Sequence, residues 1–289
     1  MEFSLVVATL NRPKELRKCI ISLLNQSYRN FEIIIIDQSD NNETQQIIES
    51  IDTRIPIKYK RVDYKALSKA RNDALKIVEG NYVCLIDDDA VYTKDYLARA
   101  YDYLRSTTKK VILSGVIIGI ESGKEFVKYK IAKDKENLKI RKILKICQSA
   151  GLIIPFKFLQ NNNGFDINFG VGARYGSSEE TDVLIKAKEE EYQIIHLKKL
   201  ILFHPIKSPD YDENYYKKIF SYAKGGGALI KKHMIYNKKF FLFTKMLNLS
   251  IGQIIKMYLS LDSNKRKEYK VKLTGFFYGF KDYKNISTQ

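Results

Sequence analysis

The sequence predicts an α/β protein with an open, mostly parallel, doubly wound sheet flanked by helices and a helical extension at its C-terminal end. Two patterns and the composition lead to this fold class. Segments typical of strands and of helices alternate regularly over residues 1–105. Phe31–Ile36 is an unbroken apolar run, as in a strand covered on both faces. The 289 residues, 45% hydrophobic and 29% charged, suit a folded chain rather than a disordered one.

The elements of the first half follow from local patterns. Phe3 to Ala8 is an apolar strand, and Pro13 can begin a helix whose apolar residues recur at helical spacing up to Leu24. After Phe31–Ile36 we expect a helix at residues 42–51, a strand at 57–62, a helix at 66–78, a strand at 82–86, a helix at 93–105 and a strand at 110–119. Strands alternating with helices of this length predict a parallel sheet with right-handed crossovers.

The second half of the chain is less regular. Residues 121–145 are dense in charge and form either a solvated surface insertion or a mobile loop near a substrate. We then expect a strand at 148–155, a loop at 161–176, a helix at 179–191, short strands at 194–197 and 200–203, and helical segments thereafter. Because no repeat or low-complexity linker interrupts the chain, the simplest division is one domain of residues 1–205 and an extension of residues 206–289.

Cysteine content and hydropathy indicate the cellular compartment in which the protein works. The three cysteines form no Cys-x-x-Cys pair, so we expect neither a disulfide framework nor a zinc site, as in a reducing cytoplasm. Strand-like sequence from Phe3 leaves no room for a signal peptide, and no stretch approaches the ~20 apolar residues of a membrane-spanning helix. We therefore expect a cytoplasmic protein.

The charge is large and unevenly distributed. The net charge is +17, and residues 206–289 hold 17 Lys and Arg against 6 Asp and Glu, a net charge of +11. Such a segment attracts polyanions, which can be nucleic acid, anionic lipid or a phosphorylated substrate.

The triplet Asp87-Asp88-Asp89 directly follows the apolar run Tyr82–Ile86. Burying even one unpaired carboxylate costs several kcal/mol, so these groups must reach solvent, a partner or a cation. They lie where a strand ends, which is the edge at which open α/β sheets bind ligands. Carboxylate oxygens suit Mg²⁺ or Mn²⁺, especially beside a phosphorylated substrate. The alternative is a solvated acidic turn that caps the next helix.

Ordered segments around this triplet resemble family 2 glycosyltransferases. The segments are Val7–Pro13 with Ser22–Tyr28, Phe31–Ser39, Leu67–Ala74, and the triplet itself at the place of the family's DxD motif. Further on, Gly164–Gly170 and Ser178–Asp182 resemble the family's acceptor-side motifs. The resemblance implies a GT-A fold, with a nucleotide-binding half at residues 1–105 and an acceptor half at 106–205. It also implies an inverting transfer of sugar from a nucleotide-sugar donor that depends on Mn²⁺ or Mg²⁺.

The resemblance also implies roles for individual residues on the donor side. Asp37 accepts a hydrogen bond from a uracil N–H, which makes the donor a UDP-sugar, and Asp89 is the direct metal ligand with His204 as an additional one. The remaining donor-side residues are Thr9, Asn11, Arg12, Arg71, Asn72, Asp87 and Asp88. Three alternatives stay open: Asn11 as a helix cap, Arg71 as a surface charge and His204 as a structural histidine.

On the acceptor side, the resemblance implies a general base within the cluster Glu179-Glu180-Thr181-Asp182. Aligning this cluster on the common Glu-Asp-x-Asp pattern puts Glu180 in the base position. Because the family usually has Asp there, the assignment among Glu179, Glu180 and Asp182 stays open. Acidic residues in the first turn of a helix are also favourable without any catalytic role, by about 0.3–1 kcal/mol each.

The basic tail interleaves aromatic and apolar residues with lysines, as at Phe240–Phe243 between Lys239 and Lys245. Such a segment can lie on the anionic inner face of the cell membrane, or it can be a helical cap whose lysines are merely solvated. Membrane association suits a lipid-linked glycan acceptor, as in bacterial polysaccharide assembly.

Two other classes compete with this interpretation. A metal-dependent nucleotidyltransferase usually has a glycine-rich phosphate loop after the first strand, and Thr9 to Pro13 contains no glycine. A nucleic-acid-binding protein can use a basic, aromatic tail, but that leaves the ordered motifs of the first 92 residues unexplained. We expect no nucleic-acid partner.

Overall fold

The computed structural model describes residues 1–125, 133–206, 208–238 and 240–284, without the side chains of residues 241–243, 245 and 249. These residues fall into two compact units. The first comprises Met1–Phe165 with Glu180–Lys207, and the second Asp166–Glu179 with Ser208–Gln289. The division predicted near residue 205 stays a prediction.

The first unit is built on one mixed sheet. Its strands are β1 (Phe3–Thr9), β2 (Phe31–Asp37), β3 (Ile57–Arg61), β4 (Tyr82–Asp87), β5 (Val91–Tyr92), β6 (Val111–Gly119), β7 (Glu136–Asn137), β8 (Leu152–Pro155) and β9 (Gln193–His204). They lie in the order β3-β2-β1-β4-β8-β6-β9-β5, and β7 pairs with β9. Strands β1 to β4 are parallel, β8 is antiparallel to both neighbours, and β6 is parallel to β9.

Helices cover both faces of this sheet. They are α1 (Pro13–Leu24), α2 (Glu43–Glu49), α3 (Leu67–Leu75), α4 (Tyr96–Arg105), α5 (Ile140–Ile146), α6 (Phe156–Asn161) and α7 (Glu179–Glu189). Alternate residues of the central strands belong to two separate buried clusters. Ile33 and Ile35 join the cluster that includes residues of α1, whereas Ile34 and Ile36 join the one that includes residues of α3. The α/β fold with a mostly parallel central sheet is therefore confirmed.

Two predicted elements differ in the structure. The two short strands predicted at 194–197 and 200–203 are one continuous strand, β9. The chain stays extended through Lys198, whose backbone N–H donates to Asp134, and a register shift between Ser114 and Val116 of β6 accommodates the length. The strand predicted at 148–155 begins instead with a 3-10 turn at Ser149–Gly151.

The charged segment at 121–145 is only partly described, because residues 126–132 lie outside the described residues. The part that follows is not a loop, since it contains β7 and α5. Ile143 and Ile146 of α5 are buried in the first unit. Isoleucines three residues apart thus hold this turn of helix against the core, despite the surrounding lysines.

The second unit is helical, as the tail sequence predicts. Its elements are α8 (Glu213–Lys231), a π-helical turn at Lys232–Tyr236, α9 (Phe241–Leu259) and α10 (Ser263–Asp282). Asp212 and Asp262 cap α8 and α10 through their carboxylates. A Cβ added at Gly227 or Gly279 would overlap the backbone of the other helix, so glycine allows α8 and α10 to pack closely.

Candidate active site

Three neighbouring parallel strands end together at one edge of the sheet. β1 lies between β2 and β4, and the register pairs Thr9 with Asp37 and Ala8 with Asp87. Since the carboxyl ends of parallel strands are where open α/β sheets bind ligands, this edge is the candidate site.

One arginine bridges two carboxylates of the triplet. The guanidinium of Arg12 lies 3.1 Å from Asp88 Oδ1 and 2.9 Å from Asp89 Oδ2. The hydroxyl of Thr9 donates to Asp88 Oδ2 at 2.8 Å. The turn after β1 and the triplet after β4 therefore form one polar cluster.

His204 lies against the same triplet. It is the last residue of β9, which pairs with β5 directly after the triplet. Its Nε2 is 2.9 Å from Asp89 Oδ1 and 3.8 Å from Asp87 Oδ2, while its Nδ1 is 2.8 Å from the carbonyl oxygen of Pro205. Asp87 also accepts a hydrogen bond from the hydroxyl of Ser149 at 3.3 Å.

The electrostatics differ from one Asp to the next. Burial raises the pKa of Asp88 to about 6, although the charge of Arg12 opposes the shift. Burial likewise raises the pKa of Asp87. Burial alone would raise the pKa of Asp89, but the hydrogen bond and charge of His204, with the charge of Arg12, outweigh it and lower the pKa. Burial alone would lower the pKa of His204, but Asp89 and Asp87 outweigh it and raise the pKa. Of the three carboxylates, Asp89 is therefore held most firmly in the ionised form that a cation ligand requires.

The side chains at the triplet, taken one by one, are of types that bind divalent cations. Asp87 and Asp89 offer carboxylate oxygens and His204 an imidazole nitrogen, which suit Mn²⁺ or Mg²⁺. Because carbonyl and ionised carboxylate oxygens can only accept, His204 donates from Nδ1 to Pro205 and from Nε2 to Asp89, so Nε2 would have to lose its proton before it could bind a cation. Among the described residues, no group of three or more His, Cys, Asp or Glu side chains is arranged so that it could hold a metal ion. Arg12 and His204 neutralise the carboxylates instead.

Asp37 is fully buried at the same edge. Its Oδ1 accepts from the backbone N–H of Ser39 at 2.9 Å, and its Oδ2 accepts from the Tyr59 hydroxyl at 2.8 Å. Burial and the hydrogen bond to Asp37 raise the pKa of Tyr59, so its hydroxyl stays a donor. Each carboxylate oxygen has a second lone pair, so these two donors do not use up the acceptor capacity of Asp37.

Asn11 does not cap helix α1, so that interpretation is wrong. The N-cap residue is Arg12, with no side-chain cap hydrogen bond. Asn11 instead adopts a positive φ of 53° and exchanges two hydrogen bonds of 3.1 Å with Asp40. These bonds tie the turn after β1 to the turn after β2.

The interpretation of Arg71 as a surface charge is also wrong. Arg71 is 2% exposed, its guanidinium lies 3.9 Å from Asp87 Oδ1, and it stacks 5.5 Å from the ring centroid of Phe165. The side chain of the next residue, Asn72, exchanges hydrogen bonds of 2.7 and 2.8 Å with the backbone of Phe165. Both residues therefore connect α3 to the chain at Phe165, and Arg71 also reaches the triplet.

The three acidic residues considered for the base occupy different environments at the start of α7. Glu179 and Asp182 are buried, and Asp182 forms an ion pair of 3.1 Å with Lys186. Glu180 is partly exposed, and its Oε1 accepts from the hydroxyl of Thr181 at 3.0 Å. Glu180 is thus the most accessible carboxylate of the three.

Residues 4–173 match the family described as Glycosyl transferase family 2. This chain belongs to that family. The match covers more than half of the chain and includes the triplet and the turns after β1 and β2, whereas the acidic cluster at the start of α7 lies beyond it.

A curated relative and two solved structures are similar to this chain, the relative in sequence and the structures in fold. The UDP-Glc:alpha-D-GlcNAc-diphosphoundecaprenol beta-1,3-glucosyltransferase WfaP of Escherichia coli is 32% identical over 148 residues, which are 51% of this chain and 57% of WfaP. The structure of S. aureus TarS 1–349 in complex with UDP-GlcNAc has a TM-score of 0.62 and 19% identity, covering 97% of this chain and 82% of that one. The mannosyltransferase PcManGT from Pyrobaculum calidifontis, in complex with GDP-Man and Mn²⁺, has a TM-score of 0.68 and 14% identity, covering 97% and 87%. These structures show that the fold is the GT-A fold.

The matched part of this chain spans about six tenths of the length of its curated relatives: 61% of one and 57% of WfaP. In the part of the chain that the structure describes, no helix combines the length and the apolar character that crossing a membrane requires.

Sequence reasoning missed three partners of the site residues. Ser149, Tyr59 and Asp40 contact Asp87, Asp37 and Asn11, respectively. Ser149 is 62 positions away from its partner in sequence, and no local motif marks it. The contact of Tyr59 with Asp37 could have been predicted, because Tyr59 lies in β3, the parallel neighbour of the strand that ends at Asp37.

The segment Asp166–Glu179 contacts the C-terminal helices inside the second unit. Asp166 forms an ion pair of 2.8 Å with Lys232. Arg174 donates two hydrogen bonds of 3.0 and 2.9 Å to Asp282, a bidentate pair. One residue of the acceptor-side motif Gly164–Gly170, and Arg174 in the loop after it, therefore pair with residues of the C-terminal helices.

Proposed function

We propose that this protein is an inverting glycosyltransferase that moves a sugar from a UDP-sugar to a saccharide or lipid-linked saccharide in cell-surface polysaccharide synthesis. In this proposal residues 1–105 bind the nucleotide, residues 106–205 bind the acceptor, and residues 206–289 form a basic helical extension. Family membership and the names of WfaP and TarS support this activity.

The observation that carries the proposal is the polar cluster at the carboxyl edge of the sheet. Thr9 and Arg12 from one turn meet Asp88 and Asp89 from another, and His204 contacts the same carboxylates. A diphosphate brings negative charge to this cluster, so a cation must accompany it or the carboxylates will repel it. Mn²⁺ or Mg²⁺ held by Asp89 and His204, with Asp87, would neutralise the diphosphate and stabilise it as a leaving group.

The remaining residues of the cluster position the donor. Asp88 accepts hydrogen bonds from Thr9 and Arg12, which fixes the turn after β1 at the edge where the nucleotide is expected. Arg71 places a buried positive charge beside Asp87, and Asn72 holds the adjoining backbone at Phe165. These residues order the site before the donor arrives, which lowers the entropic cost of binding it.

The acceptor-side proposal assigns the base to Glu180, which takes the proton from the acceptor hydroxyl as that oxygen attacks the anomeric carbon. The name of WfaP includes a diphosphoundecaprenol-linked sugar, and such an acceptor for this chain would be held at a membrane. We therefore place the protein in the cytoplasm and at the anionic inner face of the cell membrane, which the +11 charge of residues 206–289 favours.

A thermal-shift screen of nucleotides and nucleotide sugars with Mn²⁺ tests the proposed donor class. A ligand that binds only the folded protein raises its stability by about 2.7 kcal/mol at 100 times its Kd. We expect UDP and a UDP-sugar to raise the melting temperature and GDP to raise it less. No stabilisation by any nucleotide in the presence of Mn²⁺ would contradict donor binding.

Asp37→Asn tests recognition of the uracil base. The amide keeps the size of the carboxylate but loses its charge and one acceptor, so we expect UDP binding to weaken by about 1–3 kcal/mol. Calorimetry with UDP measures this change. Tyr59→Phe is the matched control, because it removes an internal partner of Asp37 and keeps the carboxylate. Equal stabilisation of the wild type by UDP and GDP, or equal losses in both variants, would rule out a uracil contact at Asp37.

A further inference from the structure

Helix α9 has apolar side chains on its exposed face. Leu247, Ile251, Ile254, Ile255 and Tyr258 are all exposed and recur at the spacing of one helix face. These five residues are called the α9 apolar face below. The exposure continues at Leu259, the last residue of the helix, which is 76% exposed, and beyond the helix at Leu261, which is 98% exposed.

Two polar residues of the same helix are less exposed than its isoleucines, although Thr244, Asn248 and Lys256 are exposed. Ser250 is buried and Gln253 is partly buried, whereas the isoleucines beside them are exposed. A helix that packs on a protein core in water normally has the opposite distribution. Single exposed apolar residues are ordinary, but a contiguous stripe of this length marks a surface that binds something apolar.

The charge of the surrounding sequence indicates what binds there. Residues 214–261 contain nine lysines and no aspartate or glutamate. Joining two copies of the chain through this face would bring two such segments together, and their like charges repel. An anionic bilayer attracts the same lysines, by about 1 kcal/mol for each one near the surface.

We propose that α9 lies in the plane of an anionic membrane surface, with the α9 apolar face in the boundary between headgroups and acyl chains. The helix has 19 residues and is therefore about 28 Å long. Tyr258 gives the face an aromatic ring with a polar end, which suits that boundary, and the exposed Lys256 beside it reaches the anionic headgroups. The inference rests on the proposed membrane association and names the element that produces it.

Cosedimentation of the full-length protein with vesicles of phosphatidylglycerol and phosphatidylcholine tests this inference. The variant Ile251→Ser/Ile255→Ser/Tyr258→Ser changes only exposed side chains, so the fold should survive. We expect its vesicle partition coefficient to fall at least about tenfold. The matched control is Ile21→Ser/Ile77→Ser/Ile120→Ser, which removes three exposed isoleucines from the first unit and should leave partitioning unchanged.

Salt separates the two contributions to binding. Added NaCl screens the charges of the lysines. At high salt the wild type should therefore keep the part of its vesicle binding that comes from the α9 apolar face. The variant Ile251→Ser/Ile255→Ser/Tyr258→Ser should be fully released. Thermal shifts with UDP and Mn²⁺ should be the same for all three proteins, because the substituted residues lie outside the donor site.

Three results would overturn the inference. Equal partitioning of the wild type and the α9 variant would mean that another part of the extension binds lipid. A wild type that does not sediment with anionic vesicles would remove the membrane association itself, without affecting donor binding. A lipid-free dimer that the α9 variant abolishes, with vesicle binding unchanged, would assign the face to a second copy of the chain.

Discussion

Asp89→Ala is expected to abolish turnover and to remove the part of UDP binding that depends on Mn²⁺. Asp89 contacts both Arg12 and His204, and its pKa is lowered, so it is the carboxylate best held in the ionised form. Without it, His204 loses its close partner and the proposed cation loses its main oxygen ligand. Calorimetric titrations with UDP, one in Mn²⁺ and one in EDTA, measure the Mn²⁺-dependent part of UDP binding separately from the part that does not need the cation.

The control for Asp89→Ala is Asp102→Ala on α4, which removes an exposed carboxylate that pairs only with Arg105 among the described residues. Surface pairs of this kind contribute about 0–1 kcal/mol, so activity and Mn²⁺ dependence should be unchanged. Circular dichroism of Asp89→Ala should match the wild type, since the residue lies in a turn and not in the core. UDP affinity that is equal in the variant and the wild type, with and without Mn²⁺, would show that the triplet does not hold the cation.

The resemblance to family 2 grouped Thr9, Asp37 and Asp87 on the donor side, and in the structure their strands end at one edge of the sheet. Each ends a run of β-forming residues, and parallel strands in one sheet end at the same edge. Strand periodicity is a local property, so it is visible without the structure. The same reasoning explains why the helices after β1 and β2 were predicted close to their observed limits.

Contacts between side chains far apart in sequence were not predictable. Arg71 is a charged residue on a short helix, and nothing local distinguishes it from a surface arginine until Phe165 and Asp87 are seen beside it. Asn72 likewise looks like a ligand residue, but it is occupied by the backbone of Phe165. Such roles depend on tertiary packing, which hydrophobic periodicity does not report.

In the C-terminal tail, too, the sequence predicted the helices but not how they pack. Its sequence predicted helices with interleaved apolar and basic residues, and α8, α9 and α10 are helices. Which face of α9 packs inward was not evident, because apolar residues occur on several sides of it. Part of the run that interleaves aromatic residues with lysines lies outside the described residues, namely Lys239 and the side chains of Phe241, Leu242, Phe243 and Lys245.

Glu180→Gln is expected to lower kcat by about 10² to 10⁴-fold, the usual contribution of general-base catalysis. Glu180 is the most accessible of the three acidic residues at the start of α7, since Glu179 and Asp182 are buried. The amide cannot accept the proton of the acceptor hydroxyl, but it keeps the shape of the side chain. UDP and UDP-sugar binding should be unchanged, because the base contacts the acceptor and not the nucleotide. Steady-state kinetics with calorimetry for the donor measure both quantities.

Glu179→Gln, Asp182→Asn and Glu189→Gln complete the test of the base. Glu189 lies at the other end of the same helix and is exposed, so its substitution should leave kcat unchanged. Asp182→Asn weakens a buried ion pair with Lys186 and should lower the melting temperature more than it lowers kcat. If Glu180→Gln keeps a near-normal kcat while Glu179→Gln loses it, the base is Glu179, and the shift by one residue reflects the Glu-for-Asp difference in this cluster. If none of the three substitutions lowers kcat, the proton is taken by a group outside α7 and the acceptor-side assignment is wrong.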